Sequence, residues 1–234
     1  MLIILSDLAS GTFGFIVEGN RYDVHRGLIS RTSTTLEMIM KQHNDQEYAD
    51  LEGVDKATFD RFLQWIYSGY YTVLECTSSS HHPSGHFQTS FAKKVPNFMN
   101  IIMAHIKLYV FAEENDIGQL KVTASGLLQS QFVHRAKYIH AQQADDIWFL
   151  DIMTVFRYVY RHTSKSSAMY GISPRQILIH EAFEEIIPVA QTEEFQLICV
   201  ENPELVGDIL AEFKIQARQM MSTTSWGEGE DSGW

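Results

Sequence analysis

The fold of this chain is decided by the stretch Phe13-Gly14-Phe15-Ile16-Val17-Glu18-Gly19-Asn20-Arg21-Tyr22-Asp23-Val24-His25-Arg26. Large apolar side chains occur at every second position in two runs. They are Phe13, Phe15 and Val17, and then Tyr22 and Val24. A period of two places such side chains on one face of a β-strand. The residues between the runs, Glu-Gly-Asn-Arg, have the composition of a turn. The stretch therefore predicts a β-hairpin with one buried face.

Two helices with recognisable ends are predicted after the hairpin. The first begins at a capping box formed by Thr34 and Glu37. The second begins at Asp55 and ends at Gly69, a residue that adopts left-handed backbone conformations easily. Its apolar residues, spaced three and four apart, are Phe59, Phe62, Leu63, Ile66 and Tyr67. We expect a short extended segment between the helices, at residues 48–51.

The remainder is predicted to be helical, apart from one insertion and the tail. Residues 75–97 lose the apolar pattern and contain both Gly and Pro, so we expect a mobile insertion there. A helix that is apolar nearly all round begins at Phe98, and it is expected to lie in the core. Beyond Ile117 the predicted helix starts are Asp145, Ser173, Thr192 and Asn202. Residues 222–234 have the composition of a disordered acidic tail.

Composition and charge exclude several classes of protein. The chain of 234 residues has a formal net charge of −11, and its Lys and Arg are scattered. Nucleic-acid affinity depends on neutralising phosphates, so we expect no nucleic-acid partner. We also expect no membrane partner, because no stretch is apolar enough to span a bilayer. Only Cys76 and Cys199 are present, which favours a reducing compartment, either cytoplasm or nucleus.

The sequence contains no recognisable catalytic or cofactor-binding motif. It has no Gly-x-Ser-x-Gly elbow and no glycine-rich phosphate loop, so we expect neither an enzyme nor a cofactor. A zinc site formed by Cys76, His81, His82 and His86 is the alternative that the insertion offers. The spacing of these residues matches no zinc motif, and we therefore favour a solvated loop without metal.

Three stretches, in chain order, resemble segments of fungal BTB/POZ domains. The hairpin stretch, continued by Leu28-Ile29-Ser30 and Ser33, resembles the opening of the family, where a hairpin leads into Val-His-Lys/Arg and a helix. The run Trp65-Ile66-Tyr67-Ser68-Gly69-Tyr70-Tyr71 resembles the end of its third major helix. The run from Tyr109 to Ile117, with Leu120-Lys121 and Ala124, resembles its Tyr-x-x-Ala-Asp-Lys-Tyr-x-Ile-x-x-Leu-Lys segment. The resemblance covers about 13–132.

The resemblance implies an α+β fold class: the BTB/POZ fold, a small β-sheet flanked by helices, followed by an all-helical C-terminal extension. The implied domains are a BTB/POZ domain at residues 1–132, with a disordered insertion at about 75–97, and a helical extension at 133–221. The acidic tail, residues 222–234, follows.

The family also implies a charged pocket. An acid at the start of its first strand meets the Lys or Arg that follows His, which here are positions His25 and Arg26. Gly11-Thr12 stands in place of the acid, and Asp7 lies earlier in the chain. We therefore expect Arg26 to lack an acidic partner, and we take His25 and Arg26 as protein-binding candidates.

Cullin binding in this family is associated with a hydrophobic-x-acidic motif after the second helix. The corresponding run, Lys41-Gln42-His43-Asn44-Asp45-Gln46-Glu47, has no apolar residue two positions before either acid. This weakens the prediction of cullin binding. Met38 or Met40 remains an alternative apolar anchor, and Glu47 is the candidate acid.

These features predict a non-catalytic protein-interaction module that docks other proteins or associates with itself as a homodimer. Two alternatives stay open. One is a substrate adaptor of a cullin-RING ubiquitin ligase, in which the chain brings a substrate to the ligase. The other is a transcriptional co-regulator, although no DNA-binding module accompanies the resemblance.

Overall fold

The computed structural model describes residues 5–73, 98–134, 147–164 and 172–224. Its internal contacts divide the chain into an N-terminal unit, Met1–Leu127, and a C-terminal unit, Leu128–Trp234. The architecture is α+β, mostly helical with one small mixed sheet. The predictions for the 75–97 insertion with its Cys and His residues, for a cap at Asp145, and for the end of the tail lie outside the described residues.

The predicted hairpin is confirmed. Strand β1 is Thr12–Val17 and strand β2 is Asn20–His25, paired antiparallel with Phe15 opposite Tyr22. The turn residues Glu18 and Gly19 both have positive φ, 48° and 75°, as a tight hairpin turn of matching twist requires. Strand β3, Tyr48–Asp50, lies parallel to β1, so the sheet order is β2-β1-β3.

Most helices of the N-terminal unit share one hydrophobic core with the sheet, and only the short first helix has no buried residue. The helices of this unit are α1 (Leu5–Leu8), α2 (Arg26–Thr32), α3 (Thr34–Gln42), α4 (Lys56–Ser68), α5 (Phe98–Glu114) and α6 (Gly118–His134), the last of which continues into the C-terminal unit. The nearly all-apolar α5 is buried along most of its length, as predicted.

Helix α4 has the ends that its sequence predicts. The Asp55 carboxylate accepts the Thr58 backbone N–H at 2.9 Å, and Gly69 ends the helix with φ of 80°. Of its apolar stripe, Phe59, Phe62 and Ile66 are buried, whereas Leu63 and Tyr67 are partly buried. Phe59 and the neighbouring Trp65 are 0% and 2% exposed. Full burial of such side chains stabilises a fold by about 1.5–3 kcal/mol each. Helix α4 is therefore a central element of the N-terminal unit.

The predicted start of α3 is wrong by one residue. The N-cap is Ser33, whose Oγ accepts the Leu36 backbone N–H at 3.0 Å, and Thr34 is already the first helical residue. The Ser33 hydroxyl also donates to the backbone oxygen of Asn115 at 2.6 Å. This second bond connects α3 to the end of α5. It also explains why Ser33, and not the neighbouring Thr34, caps the helix.

The described part of the C-terminal unit is helical throughout. Its helices are α7 (Ile147–His162), α8 (Pro174–Glu181), α9 (Phe183–Val189), α10 (Glu193–Glu201) and α11 (Pro203–Thr224). The capping box of Ser173 with Gln176 and the cap at Thr192 are confirmed. Asn202 precedes α11 as predicted, but its side-chain amide donates back to the Ile198 oxygen of α10. No helix in the described ranges is long and apolar enough to cross a membrane.

Arg175 connects three of these helices. Its guanidinium lies over the Tyr160 ring, 4.5 Å from the centroid, and donates to the Thr163 hydroxyl at 3.0 Å. It also forms an ion pair with Glu204 at the start of α11. A buried guanidinium is stable only when such donors are paired, so these contacts hold α7, α8 and α11 in one arrangement.

His105 is a buried histidine in α5, only 2% exposed. Its Nδ1 lies 2.7 Å from the Tyr71 hydroxyl, while Nε2 is buried without a hydrogen-bond partner in the described structure. Burial, with a smaller effect of the Arg61 charge, lowers the pKa of His105 from 6.5 to about 4. The folded state therefore holds this imidazole neutral.

We predict that acid destabilises the protein through His105. Between pH 6.5 and pH 4 the unfolded chain binds this proton and the folded chain does not, so the free energy of unfolding falls as the pH falls. The full shift corresponds to about 3 kcal/mol. Denaturant unfolding at several pH values measures it. The variant His105→Gln keeps a polar partner for Tyr71 but does not titrate, so its curve should decline less over this range. Parallel curves would contradict the prediction.

Candidate functional site

A cavity of about 350 Å³ lies beside the hairpin of the N-terminal unit. Helices α2 and α3 supply its walls. Its lining residues are Arg26, Ser30, Glu37, Met40, Lys41 and Asn44. Arg26 and Ser30 are four residues apart on α2, and the other four are spaced three, one and three apart along and just beyond α3. Such spacings place side chains on one helix face, so the two facing surfaces form the cavity.

Arg26 is held in this cavity by neutral groups. Its Nε donates to the Thr12 backbone oxygen at 3.2 Å, and one terminal nitrogen donates to Asn44 Oδ1 at 3.1 Å. The guanidinium also lies 5.1 Å from the centroid of the Phe13 ring. Asp7 forms its ion pair with Arg31, at 2.7 Å. In the part of the chain that the structure describes, no carboxylate lies within ion-pairing distance of Arg26.

The cavity consequently has an excess of positive charge. Lys41 is paired with Glu37 at 3.0 Å, and this hydrogen bond lowers the pKa of the Glu37 carboxyl. With those two charges offset, the charge of Arg26 remains. A chain with a formal net charge of −11 thus presents a local cation here, oriented by hydrogen bonds. A guanidinium in this setting binds carboxylate or phosphate oxygens through charge-assisted hydrogen bonds.

His25, the neighbouring candidate, faces inward. Its Nδ1 lies 2.8 Å from the Tyr67 hydroxyl, and its backbone N–H donates to the same hydroxyl at 3.2 Å. The two rings meet edge to face, with centroids 5.8 Å apart. These contacts attach the end of β2 to α4. His25 therefore positions the Arg26 backbone and does not itself line the cavity.

The methionine candidates separate into a core residue and a surface residue. Met40 is 3% exposed and belongs to the hydrophobic core, touching the cavity only as part of its floor. This burial weighs against Met40 as an anchor for a cullin, because a core side chain is not available to a partner's groove without rearrangement, and cullin binding itself stays a prediction. Met38 is 55% exposed on the other side of α3, since residues two apart on a helix do not share a face.

Glu47 lies in the turn between α3 and β3. It has a positive φ of 59°, and its backbone oxygen accepts the Gly14 N–H at 2.9 Å. The side chain is exposed and is not among the residues that line the cavity. The five predicted site residues are His25, Arg26, Met38, Met40 and Glu47. Of these, Arg26 and Met40 both line the cavity.

Four residues that line the cavity were not predicted as site residues from the sequence: Ser30, Glu37, Lys41 and Asn44. Their spacing along α2 and α3 is the signal that could have identified them, but only after the two helices had been placed face to face. Within the described ranges, no group of three or more His, Cys, Asp or Glu side chains is arranged to hold a metal ion. The zinc alternative involving Cys76 falls outside those ranges.

We predict that the Tyr67 hydroxyl stabilises the junction between β2 and α2, where Arg26 begins the helix. The variant Tyr67→Phe leaves the His25 backbone N–H without its partner, and losing such a bond in a partly buried site costs about 1–3 kcal/mol. Denaturant unfolding of the full chain measures this cost. The matched control is Tyr70→Phe, whose side chain is exposed and should unfold like the wild type. Equal stabilities of the two variants would show that this hydroxyl has no structural role.

Comparison with known proteins assigns no family to the chain. No protein-family model matches the sequence, and no curated protein matches it either. The chemistry that the cavity can support is therefore inferred from its own residues.

Proposed function

We propose that the chain is a non-catalytic protein-interaction module of the BTB/POZ type, and that the Arg26 cavity docks an acidic group of a partner protein. The arrangement of elements supports this proposal. A hairpin leads directly into a short helix, and the aromatic helix α4 follows later in the chain, as the sequence resemblance implies. The polar tip of Tyr67 bonds the end of the hairpin, which accounts for the Val-His-Arg run as a structural junction.

The observation that carries the proposal is the environment of Arg26. Its guanidinium is oriented by an amide, a carbonyl and an aromatic ring, and it forms no ion pair in the described structure, because the acid that shares the cavity, Glu37, is paired with Lys41. A cation that is held in place but not neutralised attracts a carboxylate from outside. Met38 lies on the neighbouring helix α3, exposed and outside the cavity, so the proposal depends on the charge of Arg26 and not on an apolar anchor.

The proposal leaves three possibilities for the identity of the partner. The first is self-association, in which a second copy of the chain supplies the acid. A cullin-RING adaptor is the second, and the burial of Met40 makes a cullin contact weaker because only Met38 remains as an anchor. A transcriptional co-regulator is the third, in which the docked protein would be a transcription factor. All three use the same cavity without catalysis.

The variant Arg26→Glu tests the proposal. Reversing the charge in the cavity should repel the acidic group and reduce recovery of the specific partner at least tenfold, which corresponds to about 1.4 kcal/mol. The measurement is quantitative affinity purification of the full chain from its native cells, followed by mass spectrometry. The control is Val122→Glu, which introduces a carboxylate at an exposed position of α6 outside the cavity.

The outcomes separate the alternatives. Loss of a cullin together with a RING protein would support the adaptor, and loss of transcription factors would support the co-regulator. A shift from dimer to monomer in sedimentation of the purified protein would indicate self-association. If Arg26→Glu and Val122→Glu recover the same proteins in the same amounts, and neither changes the oligomeric state, the cavity is not a docking site.

A further inference from the structure

A second and larger recess, about 480 Å³, lies within the C-terminal unit between helices α8 and α11. Its floor includes Ile177 and Ile179 of α8, which are buried. Ile172 and Ile215 also line it, but they are 48% and 46% exposed. Exposed aliphatic side chains at the edge of an apolar recess, surrounded by polar residues, are typical of a surface that another molecule covers.

Carboxylates lie along the polar side of this groove. Glu181, Asp208 and Glu212 all line it, and no lysine or arginine is among its described lining residues. Glu212 is held in place by two bonds to the same oxygen, from His180 Nδ1 at 2.9 Å and from Gln216 Nε2 at 2.8 Å. Its second carboxylate oxygen has no protein partner in the described structure. The groove therefore combines an apolar floor with fixed acceptors.

The surroundings of the groove have the same sign of charge. Between residues 172 and 224 the sequence contains nine Asp and Glu and three Lys and Arg. One of those three, Arg175, is buried in its pair with Glu204. Such a field attracts cations and raises the rate at which a positively charged partner arrives. It repels a second copy of this acidic chain, which argues against self-association at this surface.

We infer that the α8–α11 groove binds a basic amphipathic helix of a partner protein. Leucine- or isoleucine-like side chains on one face of that helix would cover Ile172 and Ile215 and fill the recess. Lysine or arginine side chains at its flanks would reach Glu181 and Glu212. A helix in a groove presents apolar anchors at spacings of three and four, which suits an apolar recess between two helices. This second surface is independent of the Arg26 cavity, which selects the opposite charge.

A synthetic peptide measures the binding directly. The probe is an amphipathic peptide of about 18 residues, with leucine on one face and lysine elsewhere. It should bind the full chain with a Kd of about 10 µM at about 0.15 M salt, measured by fluorescence anisotropy. A peptide in which serine replaces every leucine keeps the charge but lacks the anchors, and it should bind at least tenfold more weakly.

Matched protein variants locate the site. Ile215→Lys places a cation in the groove and should weaken peptide binding at least tenfold. Val200→Lys makes the same change of charge at an exposed position of α10 that does not line the groove, and it should bind like the wild type. Ile172→Lys is a second groove variant from a different segment, and circular dichroism shows which variants remain folded.

Several results would overturn the inference. These are the absence of binding by the wild type, equal binding of the serine peptide, and folded groove variants that bind as well as Val200→Lys. A wild-type dimer that Ile215→Lys dissociates would show that the groove is occupied by a second copy, which also contradicts the proposal. The Arg26→Glu variant should bind the peptide normally, so failure at this groove is distinguishable from failure of the Arg26 docking site.

Discussion

The N-terminal unit depends on the ring of Phe59. Its centroid lies 5.1 Å from that of Tyr22, 6.0 Å from Phe15, 5.6 Å from Phe62 and 6.2 Å from Phe111. One side chain of α4 thus contacts both strands of the hairpin and the central helix α5. Aromatic pairs in these geometries add about 0.5–1.5 kcal/mol each beyond the area that they bury. Three elements that are distant in sequence are therefore fixed around one ring.

The position of the Arg26 cavity follows from that cluster. Tyr67, on the same helix as Phe59, bonds the end of β2, and the hairpin in turn determines where α2 begins. Ser33 then joins α3 to the end of α5 through its hydroxyl. Hydrogen bonds to Thr12 and Asn44 orient the guanidinium of Arg26 within this framework. Preorganisation of this kind lowers the entropic cost of binding.

Local signals made much of the fold predictable. Strand alternation around Phe15, the cap at Asp55 and the positive φ of Gly69 each require information from only a few neighbouring residues. Predictions from the sequence were least accurate where a contact between residues that are far apart in the sequence determines the local structure. Ser33 caps α3 because its hydroxyl also reaches Asn115, and Met40 is buried because it joins the core that the sheet shares with the helices. Each of the two proposed surfaces, the Arg26 cavity and the α8–α11 groove, is formed by two helices that face each other. The distance between two such helices cannot be derived from the sequence of either helix alone.

The central claim is that Phe59 couples the hairpin to α5, and hydrogen-exchange mass spectrometry of the variant Phe59→Ala tests it most directly. Loss of a core phenylalanine costs about 3–5 kcal/mol, and exchange reports such a loss element by element. The control Phe213→Ala removes the same atoms from an exposed helix position. We predict that peptides from the hairpin, α4 and α5 lose protection together in Phe59→Ala and keep it in the control. Faster exchange confined to α4, with the hairpin and α5 unchanged, would contradict the account.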